Sequence, residues 1–381
     1  MAEAFIAGAV RTAIGRRNGA LAGVHPVDLG AHALRALVDR AGVDPAAVDD
    51  VIMGCVSQIG PQALDIARSA WLSAGLPESV PGVTVDRQCG SSQQAVHFAA
   101  QAVMSGVQDL VIAAGVESMS VVPMGSVVTL PAKAGLPSPW GRGWRERYDD
   151  QEISQFRGAQ MICEQWGFKR SQLEEYALES HQRAIRAIDE GRFKREIVPL
   201  DRVGEDEGPR RDTSLEKMAG LAPLRAGWEI TAAVSSQISD GAGALLIASE
   251  AALDRHGLNP RARVHALAVV GSDPVLMLTG PIGATRKVLG KAGMTVADID
   301  GFEVNEAFAP VPLAWSAEVG APLERTNPNG GAIALGHPLG ATGAMSMTKL
   351  LHELERTGGR FGLQTMCEGG GQANATIIER V

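Results

Sequence analysis

The sequence predicts an α/β protein built from stacked layers of strands and helices. Short apolar runs typical of buried strands alternate with segments whose apolar residues recur at helical spacing. Such alternation indicates parallel strands joined by crossover helices. Aromatic residues make up only 4% of the 381 residues, so the core must consist mainly of Ala, Val, Leu and Ile. Small side chains let layers of this kind approach closely.

A pattern in the first half of the chain recurs in the second half. Residues 41–53 resemble residues 292–304 at an offset of 251, and the strand-like run at 110–115 resembles 362–367 at an offset of 252. Two matches at nearly one offset favour a duplicated half, although matches this short also arise by chance.

The individual elements follow from the same patterns. A helix is predicted to begin near Asp28, which is a favourable capping residue. A capping box of Ser171 and Glu174 predicts a second helix that continues towards Gly191. A third helix is predicted at 92–104. Strands are predicted at 4–10, 51–56, 83–87, 110–115, 238–248 and 263–270.

Two segments do not fit the alternation. Residues 123–150 contain Pro131, Pro137 and Pro139 among glycines and tryptophans, which predicts a long irregular excursion. Segments of this kind usually carry function or are mobile. Residues 201–229 are charged and are expected to form loops.

Composition excludes several classes of protein. The net charge is −8 and no basic stripe is present, which argues against nucleic-acid binding. The four cysteines include no CxxC pair, which argues against a zinc site or a disulfide scaffold and favours reduced thiols. No signal-like pattern opens the chain and no apolar run approaches membrane-spanning length. We therefore expect a cytoplasmic protein that does not insert into membranes.

Cys89 is the first candidate for chemistry. It follows the predicted strand at 83–87 and precedes the predicted helix at 92–104. The free N–H groups and the dipole at a helix N-terminus favour a thiolate, which is the nucleophilic form. A buried structural thiol is an equally good interpretation of this residue taken alone.

Three further residues lie in similar strand-end or glycine-rich contexts. His337 stands among glycines in 330–343, where its ring could accept a thiol proton or donate to an oxyanion. Asn305 follows an apolar strand and could donate into an oxyanion site, although a turn role is more common. Cys367 precedes three glycines whose N–H groups could form a second oxyanion hole, and a structural role is again equally good. The other seven histidines lie in ordinary contexts and are interpreted as structural.

The combined motifs resemble those of the thiolases (acetyl-CoA C-acyltransferases) over essentially the whole chain. In chain order they are Gly8-Ala9-Val10-Arg11-Thr12, Gln88-Cys89-Gly90-Ser91-Ser92, Ser235-Ser236-Gln237-Ile238-Ser239-Asp240-Gly241-Ala242, Ala284-Thr285-Arg286-Lys287, Asn305-Glu306-Ala307-Phe308, Gly336-His337-Pro338 and Cys367-Glu368-Gly369-Gly370. The resemblance implies two similar α/β halves with mixed five-stranded sheets, in a layered α-β-α-β-α arrangement with an inserted loop domain. It places the N-terminal half at 1–116 and 232–250, the loop domain at 117–231 and the C-terminal half at 251–381.

The resemblance also implies roles for the candidate residues. Cys89 would be acylated by an acyl-CoA, and His337 would activate it. His337 and a water held by Asn305 would stabilise the thioester oxyanion. Cys367 would act as the acid and base at the α-carbon, and the N–H groups of Cys89 and Gly369 would form the second oxyanion hole.

Coenzyme A thioesters would be the substrates, with no metal or redox cofactor. By family position Ser236 would contact pantetheine and Arg210 would lie near the nucleotide, with Lys217 a weaker candidate. A solvated charge pair is the other interpretation of Arg210 and its neighbour Arg211. The resemblance further implies a homodimer or homotetramer.

Departures from the family pattern bear on the activity. Glu368 follows Cys367 where many members carry an apolar residue, and we expect it to point away from the thiol because strand neighbours alternate sides. The run at 231–234 lacks the usual Gly-Asn pair, and Gly283 stands where Pro is frequent. Residues 154–158 lack the His-Met-Gly signature of acetoacetyl-CoA-specific biosynthetic members.

These departures favour a degradative 3-ketoacyl-CoA thiolase that takes a longer or bulkier acyl group. An acetoacetyl-CoA-forming biosynthetic thiolase and a catalytically weak acyl-CoA-binding paralogue are the alternatives. A decarboxylating ketosynthase is disfavoured, because those enzymes usually carry a His where Cys367 stands.

Overall fold

The computed structural model describes residues 2–149 and 151–381. Its strands are β1 Phe5–Arg11, β2 Gly15–Arg16, β3 Asp50–Gly54, β4 Gly82–Val85, β5 Leu110–Ser118, β6 Ser239–Ala248, β7 Ala262–Gly271, β8 Gly301–Val304, β9 Phe361–Glu368 and β10 Gln372–Arg380. Its helices are α1 Pro26–Ala41, α2 Ile66–Ser73, α3 Ser91–Met104, α4 Ser126–Lys133, α5 Arg142–Tyr148, α6 Gln155–Trp166, α7 Arg170–Asp189, α8 Leu215–Ala219, α9 Glu250–His256, α10 Gly280–Ala292, α11 Pro310–Val319, α12 Ala332–Leu335 and α13 Thr342–Thr357.

The strands form two similar mixed arrays. The first has the order β4-β3-β5-β6-β1, and the second continues from it as β7-β10-β9-β8. In the first, β3 runs parallel to β4 and β5, while β6 is antiparallel to β5 and β1. In the second, β8 is parallel to β9, and β10 is antiparallel to β9 and β7. The predicted α/β class with two similar halves is therefore confirmed.

The arrays differ from two separate five-stranded sheets in two details. They meet where Phe5 pairs with Arg263 and Ile6 with Ala262, so the hydrogen-bonded ladder is continuous. Beside β8, an isolated bridge between Phe302 and Thr326 lies at the place that β4 takes beside β3. One residue pair is too short to form a regular strand there.

The duplication suggested by the sequence is present in the fold. Helices α3 and α13 begin at Ser91 and Thr342, which lie 251 positions apart. Strands β5 and β9 begin at Leu110 and Phe361, which are separated by the same distance. One supersecondary unit has therefore been used twice.

The apolar clusters show five layers. Helices α1 and α2 pack on the outer face of the first array, and α10 and α11 pack on the outer face of the second. Between the arrays lie α3 and α13, whose Ala99 and Leu351 share one buried cluster with β1 and β6. The N-terminal ends of these two central helices carry the candidate site.

The segment between the halves is more regular than its composition suggests. Residues 123–150 include α4 and α5, so the prediction of an irregular excursion is wrong. Pro131 lies inside α4, near its C-terminal end, while Pro137 and Pro139 fall between the two helices. Residues 201–229 are mostly loops, as expected, apart from the short α8.

Two predicted helix starts are displaced. Helix α7 begins at Arg170, and the Gln172 side chain accepts the Lys169 backbone N–H at 2.9 Å in place of the predicted capping box of Ser171 and Glu174. Helix α1 begins at Pro26, and the ring of His25 caps it in place of Asp28.

The rest of this segment packs on the second half of the molecule. Side chains of α6 and α7 share one buried cluster with Phe308 and Cys367. The domain boundaries at 117 and 231 stay a prediction. Within residues 2–149 and 151–381, none of the helices combines the length and apolarity needed to cross a bilayer.

Candidate active site

Cys89 lies in a tight loop directly before α3, as predicted. The preceding residue, Gln88, has a φ of +50°, a backbone angle that residues other than Gly rarely adopt. The Asp86 carboxylate accepts the Gln88 backbone N–H at 2.7 Å, and the Ser91 hydroxyl donates to the Gln88 carbonyl at 2.6 Å. These bonds hold the strained turn that brings Cys89 to the first turn of α3.

Cys367 lies at the end of β9, and the residues after it contact the Cys89 loop. Glu368 lies against Gly90, and Gly369 lies against Gln88, so closely that a side chain at either glycine would collide with its neighbour. Burial raises the pKa of the Cys367 thiol, and Cys89 lies near enough to raise it further. The structure therefore brings the two cysteines, from opposite halves of the chain, into one site.

Both thiols are protonated in the resting site. Burial raises the pKa of Cys89 to about 12, with a further contribution from Glu368. The backbone N–H groups of Cys89 and Gly369 oppose that shift because they favour the thiolate. Burial, followed by Cys89 and Glu368, raises the pKa of Cys367 well above its usual value.

His337 is held in a single tautomer. The Thr342 hydroxyl donates to the Pro338 carbonyl at 2.9 Å, so it can only accept from the imidazole. The His337 Nδ1–H therefore donates to Thr342 Oγ1, at 2.6 Å. Nε2 is therefore unprotonated, and its lone pair accepts a hydrogen bond from Asn305 Nδ2 at 3.3 Å.

The imidazole is neutral at physiological pH. Only 3% of the His337 surface is exposed, and burial lowers its pKa to about 4. A neutral ring with Nδ1 protonated presents Nε2 as a proton acceptor.

The His337 loop is fastened to the base of the Cys89 helix. The Ala344 N–H donates to Ser92 Oγ at 2.9 Å, and the Gly340 N–H donates to Glu117 at 2.9 Å. Leu339 belongs to the same small apolar cluster as Cys89. The pseudo-symmetric packing of α3 and α13 thus places the imidazole loop beside the Cys89 loop.

Asn305 is positioned from both sides. Its backbone N–H donates to Thr365 on β9 at 3.1 Å, two residues before Cys367. The adjacent Glu306 carboxylate accepts four hydrogen bonds of 2.8 to 3.1 Å. Their donors are Tyr176 Oη, Ser180 Oγ, Asn327 Nδ2 and the Ile333 N–H.

Two family models match nearly the entire chain. The thiolase N-terminal domain matches residues 4–251, and the thiolase C-terminal domain matches residues 258–380. The chain belongs to the thiolase family. The resemblance inferred from the motifs is therefore confirmed.

Individual relatives of this thiolase carry the names of thiolases with different substrates. The steroid 3-ketoacyl-CoA thiolase FadA6 of Mycobacterium tuberculosis is 59% identical, over 100% of this chain and 95% of the relative. The β-ketoadipyl-CoA thiolase of Escherichia coli is 43% identical, over 100% of both chains. The crystal structure of the Bacillus anthracis acetyl-CoA acetyltransferase superimposes with a TM-score of 0.89 at 37% identity, covering 100% of this thiolase and 99% of that chain.

A pocket of about 220 Å³ lies between α7, α8 and the segment at 232–237. Arg210 and Lys217 line it, and Lys217 Nζ is paired with the Asp212 carboxylate at 2.8 Å. Ser235 and Gln237, which flank Ser236 in the chain, also line the pocket. Ser236 itself is half-buried beside them, and its N–H donates to Ala307 at 3.0 Å.

Sequence reasoning missed several residues of this site. Thr342 fixes the His337 tautomer, and its only sequence signal is its place in the same glycine-rich run. His181, interpreted as structural, lines the pocket and accepts the Arg210 N–H at 3.1 Å. Burial, with a smaller effect of Arg210, lowers the pKa of His181 to about 4.

Glu368 points away from Cys367, as expected, but it lies beneath the Cys89 loop and is not remote from the thiols. It is fully buried and its charge raises the pKa of both Cys89 and Cys367. Strand alternation does turn Glu368 from the face of Cys367. That turn directs it under the Cys89 loop, a contact between distant parts of the chain that local periodicity cannot show.

Proposed function

We propose that this thiolase cleaves 3-ketoacyl-CoA with coenzyme A, in a reversible reaction that passes through acyl-Cys89. The observation that carries the proposal is the convergence of two buried thiols, those of Cys89 and Cys367, in one site. The same site contains the neutral imidazole of His337, whose Nε2 is unprotonated. A nucleophile and a separate acid are the two groups that breaking a carbon–carbon bond next to a thioester requires.

In the first step, Cys89 Sγ attacks the 3-keto carbon and its proton passes to His337 Nε2. The thiol pKa of about 12 and the imidazole pKa of about 4 keep both groups neutral at rest. Proton transfer therefore accompanies the attack and does not precede it. Once protonated, Nε2–H can donate to an oxyanion alongside Asn305 Nδ2.

In the second step, the bond between the α- and β-carbons breaks and its electron pair takes the Cys367 proton. Acetyl-CoA leaves, and the acyl group stays on Cys89. The N–H groups of Cys89 and Gly369 are proposed as donors to the developing oxyanion. A donor of this kind contributes about 3 kcal/mol to a transition state.

In the third step, the thiol of coenzyme A attacks acyl-Cys89 and releases acyl-CoA. The Cys367 thiolate accepts the proton of the incoming thiol, and His337 Nε2 returns its proton to the departing Cys89 sulfur, which restores the resting site. No step requires a metal or a redox cofactor.

We assign coenzyme A to the pocket that contains Arg210 and Lys217. Exposed cations suit its phosphates, and Gln237 links the pocket to the catalytic loop because the His337 N–H donates to its carbonyl at 3.1 Å. Ser236, flanked by lining residues, is proposed to contact pantetheine.

The surroundings of Cys89 support an apolar acyl group. Val56, Met119, Leu339 and Met366 form a buried cluster around it, with Ile238 half-buried at the edge. Such walls favour a hydrocarbon chain or ring. A degradative role agrees with the relatives named above, one of which acts on steroid 3-ketoacyl-CoA.

We also propose a homodimer or homotetramer in the cytoplasm. Strand β4 is an edge strand of the sheet, and its residue Val83 is 45% exposed. A second copy could cover such an edge. All four cysteines are free and buried, which suits a reducing compartment. Light scattering would give the oligomeric state.

The direct test measures thiolysis of a panel of 3-ketoacyl-CoA substrates by the purified protein. The panel includes acetoacetyl-CoA, linear chains of increasing length, a ring-bearing substrate and a carboxylate-ended substrate. We expect the highest kcat/KM for an apolar group longer than acetoacetyl. A preference for acetoacetyl-CoA would favour the biosynthetic alternative. If none of the substrates is cleaved, the proposal is overturned in favour of an acyl-CoA-binding paralogue.

A further inference from the structure

Two buried glutamates lie at equivalent positions of the two halves. Glu117 is near the end of β5 and Glu368 is at the end of β9, 251 positions later. Neither side chain is exposed to solvent. Each faces the beginning of the central helix of the other half, because Glu117 contacts Gly340 before α13 and Glu368 contacts Gly90 before α3.

Glu117 has the surroundings that a buried carboxylate requires. It accepts the backbone N–H groups of Val56, Ser57 and Gly340 and the side-chain amide of Gln62, at 2.8 to 3.1 Å. Burial raises the pKa of Glu117, and these four donors oppose that rise because they favour the carboxylate. This residue ties β3, β5 and the loop before α13 together.

Glu368 has none of these donors. Neither of its oxygens has a hydrogen bond of ordinary geometry within residues 2–149 and 151–381, although the Asn374 backbone N–H lies near enough to favour the ionised form weakly. The Asn374 side-chain oxygen also has no partner there, and it lies beside Glu368 Oε1 in the space that a Cβ at Gly90 would occupy. Asn374 Nδ2 donates to Gln94 Oε1 at 3.1 Å, which turns the amide oxygen towards Glu368.

Two buried acceptors that share one space repel each other unless one of them carries a proton. A protonated Glu368 would donate to the Asn374 oxygen and satisfy both groups. The pKa of Glu368 supports this state, because burial raises it to about 8, against the opposing effects of Arg87 and the Asn374 N–H. At neutral pH most molecules therefore carry the uncharged acid.

We propose that Glu368 is a positioning residue that lies uncharged beneath the Cys89 loop, and that its ionisation suppresses thiolate formation at Cys89 and Cys367. Glu368 would then set the alkaline limit of the reaction. This inference rests on the proposed function of the two thiols. It adds a residue that touches no substrate and acts only through the charge it presents to them.

The charged and titratable groups around Glu368 come from three directions. The loop before α3 contributes Asp86, Arg87 and Cys89, and β9 contributes Cys367. Arg87 is the cation that favours ionised Glu368, but its Nη1 donates to Gln372 Oε1 at 2.8 Å. Deeper on α3, His97 has its pKa lowered to about 3 by burial, with smaller effects of Arg87 and Lys291, so it stays neutral.

The test compares wild-type protein with Glu368→Gln, whose amide can donate to Asn374 as the acid does. Iodoacetamide alkylation of Cys89 is followed by peptide mass spectrometry from about pH 6 to about pH 9. We expect equal rates at the acid end, where Glu368 is uncharged. At the alkaline end we expect the variant to react roughly tenfold faster, which corresponds to one pKa unit on the thiol.

Glu117→Gln is the matched control. It replaces the equivalent carboxyl group of the other half, so it should lower the unfolding temperature without changing the pH dependence of alkylation. Equal alkylation rates of wild type and Glu368→Gln across the whole range would overturn the proposal. Alkylation needs no thiolase turnover, so the proposal can fail while 3-ketoacyl-CoA cleavage is observed.

A second measurement does not depend on how well the variants fold. The infrared spectrum of wild-type protein should contain a protonated-carboxyl band that disappears as the pH rises through about 8. Selective isotope labelling of glutamate assigns the band to a Glu side chain, and its loss in Glu368→Gln or Glu368→Leu assigns it to this residue. A wild-type protein without such a band at neutral pH would contradict the proposal.

Discussion

Replacing Thr342 by valine should slow the acylation of Cys89, because the Thr342 hydroxyl is what holds His337 in its active tautomer. Valine keeps the shape of the side chain but removes Thr342 Oγ1, which lies 2.6 Å from His337 Nδ1 and accepts its proton in a hydrogen bond. A neutral hydrogen bond contributes about 1 kcal/mol, and about 1.4 kcal/mol corresponds to a factor of ten. The ratio of the Nδ1–H tautomer to the Nε2–H tautomer should therefore fall about fivefold, and the acylation rate should fall with it.

The assay is a rapid-quench measurement of acyl transfer from an acyl-CoA to Cys89, which isolates the first half-reaction. Thr342→Ser retains the hydroxyl and should acylate at nearly the wild-type rate. Thr348→Val is the matched control, because Thr348 is also a buried threonine of α13. Its hydroxyl donates to Ala344 at 2.9 Å and does not contact the imidazole.

Both valine variants should lose about 1–3 kcal/mol of stability, because each removes a hydroxyl that forms buried hydrogen bonds. Only Thr342→Val should lose acylation rate. The reasoning is refuted if Thr342→Val acylates at the wild-type rate, or if Thr348→Val slows acylation by the same factor.

Three further predictions concern binding and stability. Arg210→Gln should raise the KM for coenzyme A about tenfold with little change in kcat, whereas Arg211→Gln, which breaks an exposed pair with Asp189, should leave both unchanged. Glu306→Gln should lower the free energy of urea unfolding by about 2 kcal/mol. The NH2 group of the new amide must face donors that the carboxylate oxygen now satisfies. An unchanged midpoint of urea unfolding contradicts this prediction. Stability should fall as the pH drops from about 6.5 towards 4, because buried neutral imidazoles have folded pKa values below 6.5, so the unfolded state binds more protons in that window. Replacing His97 by Gln should make this loss shallower, and an identical slope would show that His97 does not contribute.

Local sequence patterns were sufficient to predict the repeated core of the molecule. Alternation of apolar runs identified the strands that became β3, β5 and β9, and the offset of 251 residues identified the duplication. Cys89, His337 and Cys367 could also be selected, because a strand end, a helix start or a glycine run leaves a signal in neighbouring residues. Resemblance to a family added the roles, which the residues alone left open.

The features that were missed depend on contacts between distant parts of the chain. Glu368 was expected to point away from Cys367, and only the packing of the Cys89 loop against β9 shows that this direction leads beneath that loop. Thr342 acts through a hydrogen bond to a ring five residues earlier, and threonine is common in such loops. The helices α4 and α5 were hidden by prolines that lie near a helix end or between helices, where they do not break regular structure.

The most direct test of the shared site is a single-turnover experiment with the Cys367→Ala variant and an acyl-CoA substrate. If Cys89 is the nucleophile and Cys367 the separate acid and base, the acyl mass should appear on the Cys89 peptide at nearly the wild-type rate, while 3-ketoacyl-CoA is neither formed nor cleaved. An unmodified Cys89 peptide, or cleavage of 3-ketoacyl-CoA by the variant at the wild-type rate, would contradict that division of roles.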